Sequence, residues 1–96
     1  MSEQKIQFSI VIPTFNPDFK IFESVESIKK SISNFKKNNS IEYEIIIIND
    51  GGKAIDNKIK NIVENLNIFN LKRNKGVGFA REFGARIAKY ENIFYI

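Results

Sequence analysis

The sequence predicts an α/β fold in which a parallel sheet lies between helical layers, and three observations carry that prediction. First, four consecutive isoleucines, Ile45 to Ile48, leave no polar face, so a strand made of them must be covered on both sides. Second, strand-like runs alternate along the chain with stretches whose apolar residues recur every three or four positions. Third, the apolar strands give way at their carboxyl ends to polar loops rich in Asn, Asp and Gly, the edge at which open α/β sheets bind ligands.

The first strand is expected over Gln7–Ile12, with Phe8, Ile10, Val11 and Ile12 apolar and Pro13 ending the ladder because it has no N–H to donate. Thr14 to Asp18 forms a loop. From Phe19 to Lys37 the residues Phe22, Val25, Ile28, Ile32 and Phe35 make one helical stripe, and Lys29, Lys30, Lys36 and Lys37 fall largely outside it as a solvated face. Asn38-Asn39-Ser40 is a turn, after which the isoleucine strand delivers Asn49 and Asp50 to its end, followed by Gly51 and Gly52.

A second helix is expected from Ala54 to Asn65, burying Ile55, Ile59, Ile62, Val63 and Leu66, and a short third strand over Asn67–Leu71. The basic loop Lys72 to Gly78 then leads into a third helix. There Phe79, Phe83 and Ile87 form one row, and Ala80, Gly84 and Ala88 form a row of small residues that lets the helix lie close to the sheet. Asn92 to Ile96 is a fourth strand. The order β-α-β-α-β-α-β, with right-handed crossovers, describes a Rossmann-like three-layer α/β/α unit whose strand order is 3-2-1-4. Residues 1–96 read as a single domain or part of one, and the outer fourth strand has an unpaired edge that favours self-association.

Composition narrows the chemistry. With no cysteine among 96 residues, disulfides and thiolate metal sites are excluded, and the absence of histidine removes the commonest metal ligand and general base. No apolar run reaches the roughly 18 to 20 residues of a membrane span, and the start MSEQKIQF lacks the apolar core of a signal peptide. The expected location is therefore cytoplasmic, at the inner face of the membrane for a longer protein. A net charge of +4 favours anionic ligands, but the aromatics fall at core-like spacings, so no nucleic-acid platform is expected. An RNA-binding domain is the rival there, and it predicts steeply salt-dependent binding to oligonucleotides.

Three loops converge on one sheet edge: PTFN, NDGG and KRNKGVG. Phe15 offers a flat face for a base, Asp50 an acceptor, and Gly76 to Gly78 backbone N–H groups at a helix start. An ionised carboxylate accepts only, so Asp50 suits uracil, whose N3–H donates where cytosine accepts. The alternatives are that Asp50 makes an Asx-turn or caps the next helix, and that Phe15 is loop packing. Lys72, Arg73, Lys75 and Arg81 could offset a diphosphate, although for Lys72 and Lys75 ordinary loop solubility is the better reading. GVGFAR is not the dinucleotide fingerprint: its glycines follow the third strand and Arg81 occupies the third glycine's place.

FSIVIPTFN, EIIIINDGG and NKGVGFAREFGARIA with the strand after it resemble the amino-terminal half of the inverting glycosyltransferases of family 2, which have the GT-A fold. The likeness runs from Phe8 to Ile96. It implies that Pro13, Thr14 and Phe15 hold the nucleotide base, that Asp50 contacts uracil and that Arg81 lies beside the nucleotide. It implies a nucleotide-sugar donor, often a UDP-sugar, and a glycan, lipid or protein acceptor, in bacterial-type cell-surface polysaccharide synthesis. Gly51, Gly76 and Gly78 belong to the same loops. Two positions depart from the family: serine often stands where this chain has Gly52, and asparagine where it has Glu82, an acid that would weaken phosphate binding nearby.

In that family the fourth strand runs into an Asp-x-Asp motif that holds Mg²⁺ or Mn²⁺, and the catalytic base is an acid further downstream. Neither has a counterpart among residues 1–96, and Asp18, Glu23, Asp56 and Glu82 have no context that recommends them as substitutes. No catalytic residue is therefore assigned, and the chain alone is expected to bind a donor without transferring its sugar. The rival from another class is a non-catalytic Rossmann-like nucleotide-binding or interaction module.

Overall fold

A computed structural model of the chain describes residues 5–96, so the first four residues of the MSEQKIQF start lie outside the described residues. Four strands, β1 (Lys5–Thr14), β2 (Ser40–Asn49), β3 (Leu66–Asn70) and β4 (Ile93–Tyr95), form one parallel sheet in the order β3-β2-β1-β4. Between them run α1 (Lys20–Lys36), a short 3-10 helix (Asn57–Asn61) and α2 (Val77–Ile87). The β1–β2 ladder is the longest, pairing Lys5 with Ser40 through to Thr14 with Asn49.

Alternation along the strands makes the layers. Phe8, Ile10, Ile12, Tyr43, Ile45 and Ile47 point to one face, where they pack with Ile21, Val25, Ile28 and Ile32 of α1 and with Ile55, Ile59 and Val63. Val11, Ile46 and Ile48 point to the other face, against Ala80 of α2. All four central isoleucines are buried, as a strand covered on both sides requires. Gly84 faces the sheet so closely that a Cβ built there would lie 2.4 Å from Val11 Cγ1, which gives the small-residue row of α2 its physical reason. In the middle of the β1–β2 ladder the Glu44 carboxylate accepts from Ser9 Oγ at 2.6 Å and from the Lys89 N–H, fastening the α2–β4 connection.

Four expectations are corrected. Ala54–Asn65 is not an α-helix: only Asn57–Asn61 is helical, and as a 3-10 turn capped by the Asp56 side chain, which accepts from Lys58 N at 3.0 Å. Its apolar residues still reach the core, but a short segment of asparagines and β-branched residues lacks the propensity to hold an α-helix. Leu66, expected in that helix, opens β3. On α1 the buried stripe runs through Ile21, whereas Phe22 is half-buried and Phe35 is exposed. Pro13 does not end the ladder to β2, since it pairs with Ile48. Ser9 and Val11 exchange backbone hydrogen bonds with β4, whereas the Thr14 carbonyl accepts from Asp50 N on the β2 side. The N–H that proline lacks is therefore one that would have faced β4.

Candidate functional site

Asp50 lies at the carboxyl end of β2 and is 4% exposed. Its Oδ1 accepts from the backbone N–H of Lys75 at 2.6 Å and its Oδ2 from that of Gly76 at 2.7 Å. The side chain therefore neither closes an Asx-turn nor caps the next helix, the role Asp56 fills; it holds the third loop against the second. Each oxygen keeps lone-pair capacity for a further donor. The Gly76 N–H also lies 2.9 Å from Asn74 Oδ1, so this amide is shared between two side chains. Its commitment moves the available anion-facing donors one step along the chain. The N–H groups of Val77, Gly78 and Phe79 open α2, have no intrahelical acceptor and are capped by no side chain.

Pro13, Thr14, Phe15, Asp50 and Gly76, all expected at the site, line one recess of about 220 Å³ with Asn74, Val77 and Ala80. That is smaller than the roughly 300 Å³ at which ligand pockets begin, and suits a planar ring more than a whole nucleotide-sugar. Phe15 stands at its rim 56% exposed, so its ring is not consumed in packing. A second recess of about 330 Å³ lies on the other side of the same loop, lined by Pro13, Phe15, Asp18, Lys20 and Ser24 among others.

Gly51 is buried in the turn and its carbonyl accepts from Asn16 N at 3.2 Å; it does not line the recess. Gly78 is exposed on the first turn of α2, and Arg81 is exposed on that helix beyond the recess. The acidic departure at Glu82 is offset within α2, where its carboxylate accepts from Arg86 at 2.9 Å. The Lys75 ammonium sits 5.9 Å from the centre of the Phe79 ring, close enough for a cation–π contact.

Among the described residues no three His, Cys, Asp or Glu side chains group to hold a metal ion.

Residue reading missed the asparagines. Asn49 is 2% exposed and its Nδ2 donates to Lys53 O at 2.9 Å and to Asn70 Oδ1 at 3.0 Å, while Asn16 Oδ1 accepts from Lys53 N at 3.1 Å. Position gave only a partial signal, since Asn16 and Asn49 stand at the carboxyl ends of the first two strands, while their partner is the Lys53 backbone, which no residue type marks.

Residues 9–96 match the profile of the family described as Glycosyl transferase family 2. Over 83 residues the chain is 36% identical to a Bacillus subtilis (strain 168) protein named "Uncharacterized glycosyltransferase YkcC". That alignment takes in 86% of the chain and 23% of the relative, so the chain spans less than a quarter of that protein's length.

Proposed function

Because this chain belongs to glycosyl transferase family 2, we propose that it is the part of such an enzyme that binds the nucleotide of a UDP-sugar donor. The observation that supports this reading best is the Asp50 carboxylate, held by two N–H groups beside a recess whose rim carries Phe15. A uracil ring in that recess would stack on Phe15 and donate N3–H to Asp50, a donation cytosine cannot make. The N–H groups that open α2, with Arg81, Lys72 and Arg73, would then face the diphosphate.

In this proposal the longer protein transfers a hexose-type sugar to a glycan or lipid acceptor in cell-surface polysaccharide synthesis. It works in the cytoplasm, at the inner face of the membrane. Residues outside this stretch supply the groups that hold Mg²⁺ or Mn²⁺ and deprotonate the acceptor. No helix among the described residues is long and apolar enough to cross a membrane. The 96-residue chain would bind UDP without turning over UDP-sugar, and would self-associate through the open edge of β4, where Phe94, Tyr95 and Ile96 are exposed.

The test is calorimetric titration of the chain with UDP and with CDP. Tighter binding of UDP, by about tenfold for one well-made hydrogen bond to a charged group, is expected. Equal affinity for the two would reject the uracil contact, and metal-dependent turnover of a UDP-sugar would reject the claim of inactivity.

A further inference from the structure

We infer that Asn16 is a positioning residue of the nucleotide site, setting the distance between the Phe15 rim and the Asp50 floor by gripping the backbone of Lys53. The inference rests on the uridine-nucleotide reading proposed above. Its basis is a chain of hydrogen bonds that crosses the carboxyl ends of the first three strands. From the β1 loop, Asn16 N donates to Gly51 O at 3.2 Å and Asn16 Oδ1 accepts from Lys53 N at 3.1 Å. From β2, Asn49 Nδ2 donates to Lys53 O at 2.9 Å and to Asn70 Oδ1 of β3 at 3.0 Å. Both polar groups of the Lys53 backbone are thus held by asparagine side chains, one from each side.

Two features show that this arrangement is maintained against a cost. Asn16 has φ +48°, the left-handed region that asparagine tolerates better than most residues. Asn49 is almost wholly buried, yet its Oδ1 has no donor among the described residues. Turning the amide over would relieve that atom only by setting an oxygen against the Lys53 carbonyl, which cannot donate. The amide orientation is therefore fixed by its grip on Lys53. The contact with loop two is also close: a Cβ on Gly52, at φ +80°, would lie 3.0 Å from Asn16 Cα.

The Asn16 N–Gly51 O bond joins the neighbours of Phe15 and Asp50, and the side-chain bond to Lys53 N, three residues beyond Asp50, holds the rest of the second loop against the first. Orientation held in advance favours the ring that fits it over the one that does not, and its loss lowers discrimination more than general affinity.

The experiment compares the parent chain with Asn16→Gly and Asn16→Asp. Glycine adopts the left-handed backbone but has no acceptor, whereas aspartate keeps an oxygen for Lys53 N–H. Asn16 is exposed, so neither change empties the core. Two quantities are read: amide hydrogen exchange at Lys53, and the ratio of UDP to CDP affinity, in which any charge effect of the new carboxylate on the diphosphate cancels. Asn16→Gly is expected to speed Lys53 exchange and cut the ratio by about fivefold or more, and Asn16→Asp to keep both near parent values. A merely structural role would weaken UDP and CDP together. Unchanged Lys53 exchange in Asn16→Gly, or a ratio equal to the parent's, overturns the inference and leaves the uridine reading standing. A parent ratio of one rejects the uridine reading itself, and this inference with it.

Discussion

Asp50 holds the third loop against the second, and in the proposed function the same carboxylate also accepts from uracil. In Asp50→Asn one oxygen becomes an amide NH₂: turned to Lys75 it takes away that N–H's acceptor, and turned to Gly76 it leaves that N–H to Asn74 Oδ1 alone. Either way one hydrogen bond to a charged group is lost, which costs about 1.5–3 kcal/mol at most and which urea unfolding would show as a lowered midpoint. UDP affinity should fall with it, because loop three is no longer held and the charged acceptor is gone. Wild-type stability and affinity in this variant would mean that Asp50 performs neither duty. Gly84 is the contrasting case, structural and remote from the recess. Its Cβ would meet the branched end of Val11 at 2.4 Å, so Gly84→Ala should destabilise by about 1–3 kcal/mol through overpacking while leaving the UDP to CDP ratio unchanged. Thermal melting and the same titrations check both halves of that statement.

Among the elements, β2 is the one whose chemistry can be followed by pH. The Tyr43 hydroxyl is pushed above its ordinary value of 10.0 by burial, with the Glu64 charge adding to the effect. A raised folded-state pKa means that the folded form favours the proton. The stabilisation is fully present below the unfolded value and is lost as pH rises through the folded one. Urea midpoints should therefore fall above about pH 10, and Tyr43→Phe should flatten part of that fall. β2 was also the element most legible in the sequence, since Ile45 to Ile48 admit only a strand covered on both faces. α1 and α2 were legible from their periodicity. The Ala54–Asn65 segment was not, because its apolar spacing fits a helix while its short length and composition allow only a 3-10 turn. In the loops, Phe15, Asp50 and Gly76 could be chosen by residue type and position, Pro13 and Thr14 were implied by the family resemblance, and all five line one recess. The roles of Asn16 and Asn49 could not, because they depend on Lys53, whose part is played by its backbone and leaves no mark in its side chain.

For the whole molecule the asymmetry of the two sheet edges matters. β3 ends one side, while β4, three residues long, ends the other beside an apolar groove of about 830 Å³ floored by Phe8, Ile10, Ile28 and Ile32. Phe94 is 58% exposed at that edge and packs edge-on to Phe8 at 5.7 Å. Light scattering of the 96-residue chain should give a mass that rises with concentration, and Phe94→Lys should return it to the monomer value, since a charge on an edge strand opposes pairing. A parent mass fixed at one chain would remove the proposed self-association.

The Ser9–Glu44 fastening in the middle of the β1–β2 ladder bears on the order in which the molecule is assembled. Tyr90 N donates to Ser9 Oγ across 81 positions of sequence, and the Ser9 backbone N–H donates to Asn92 O. β1 precedes the other three described strands, yet one of its two hydrogen-bonding sides stays open until β4 arrives. The ten-residue β1–β2 ladder can form well before then and serve as a template. Contacts of such long range are slow to close, so the docking of β4 should be the late step of folding. Ser9→Ala would then raise the unfolding rate while leaving the folding rate nearly unchanged.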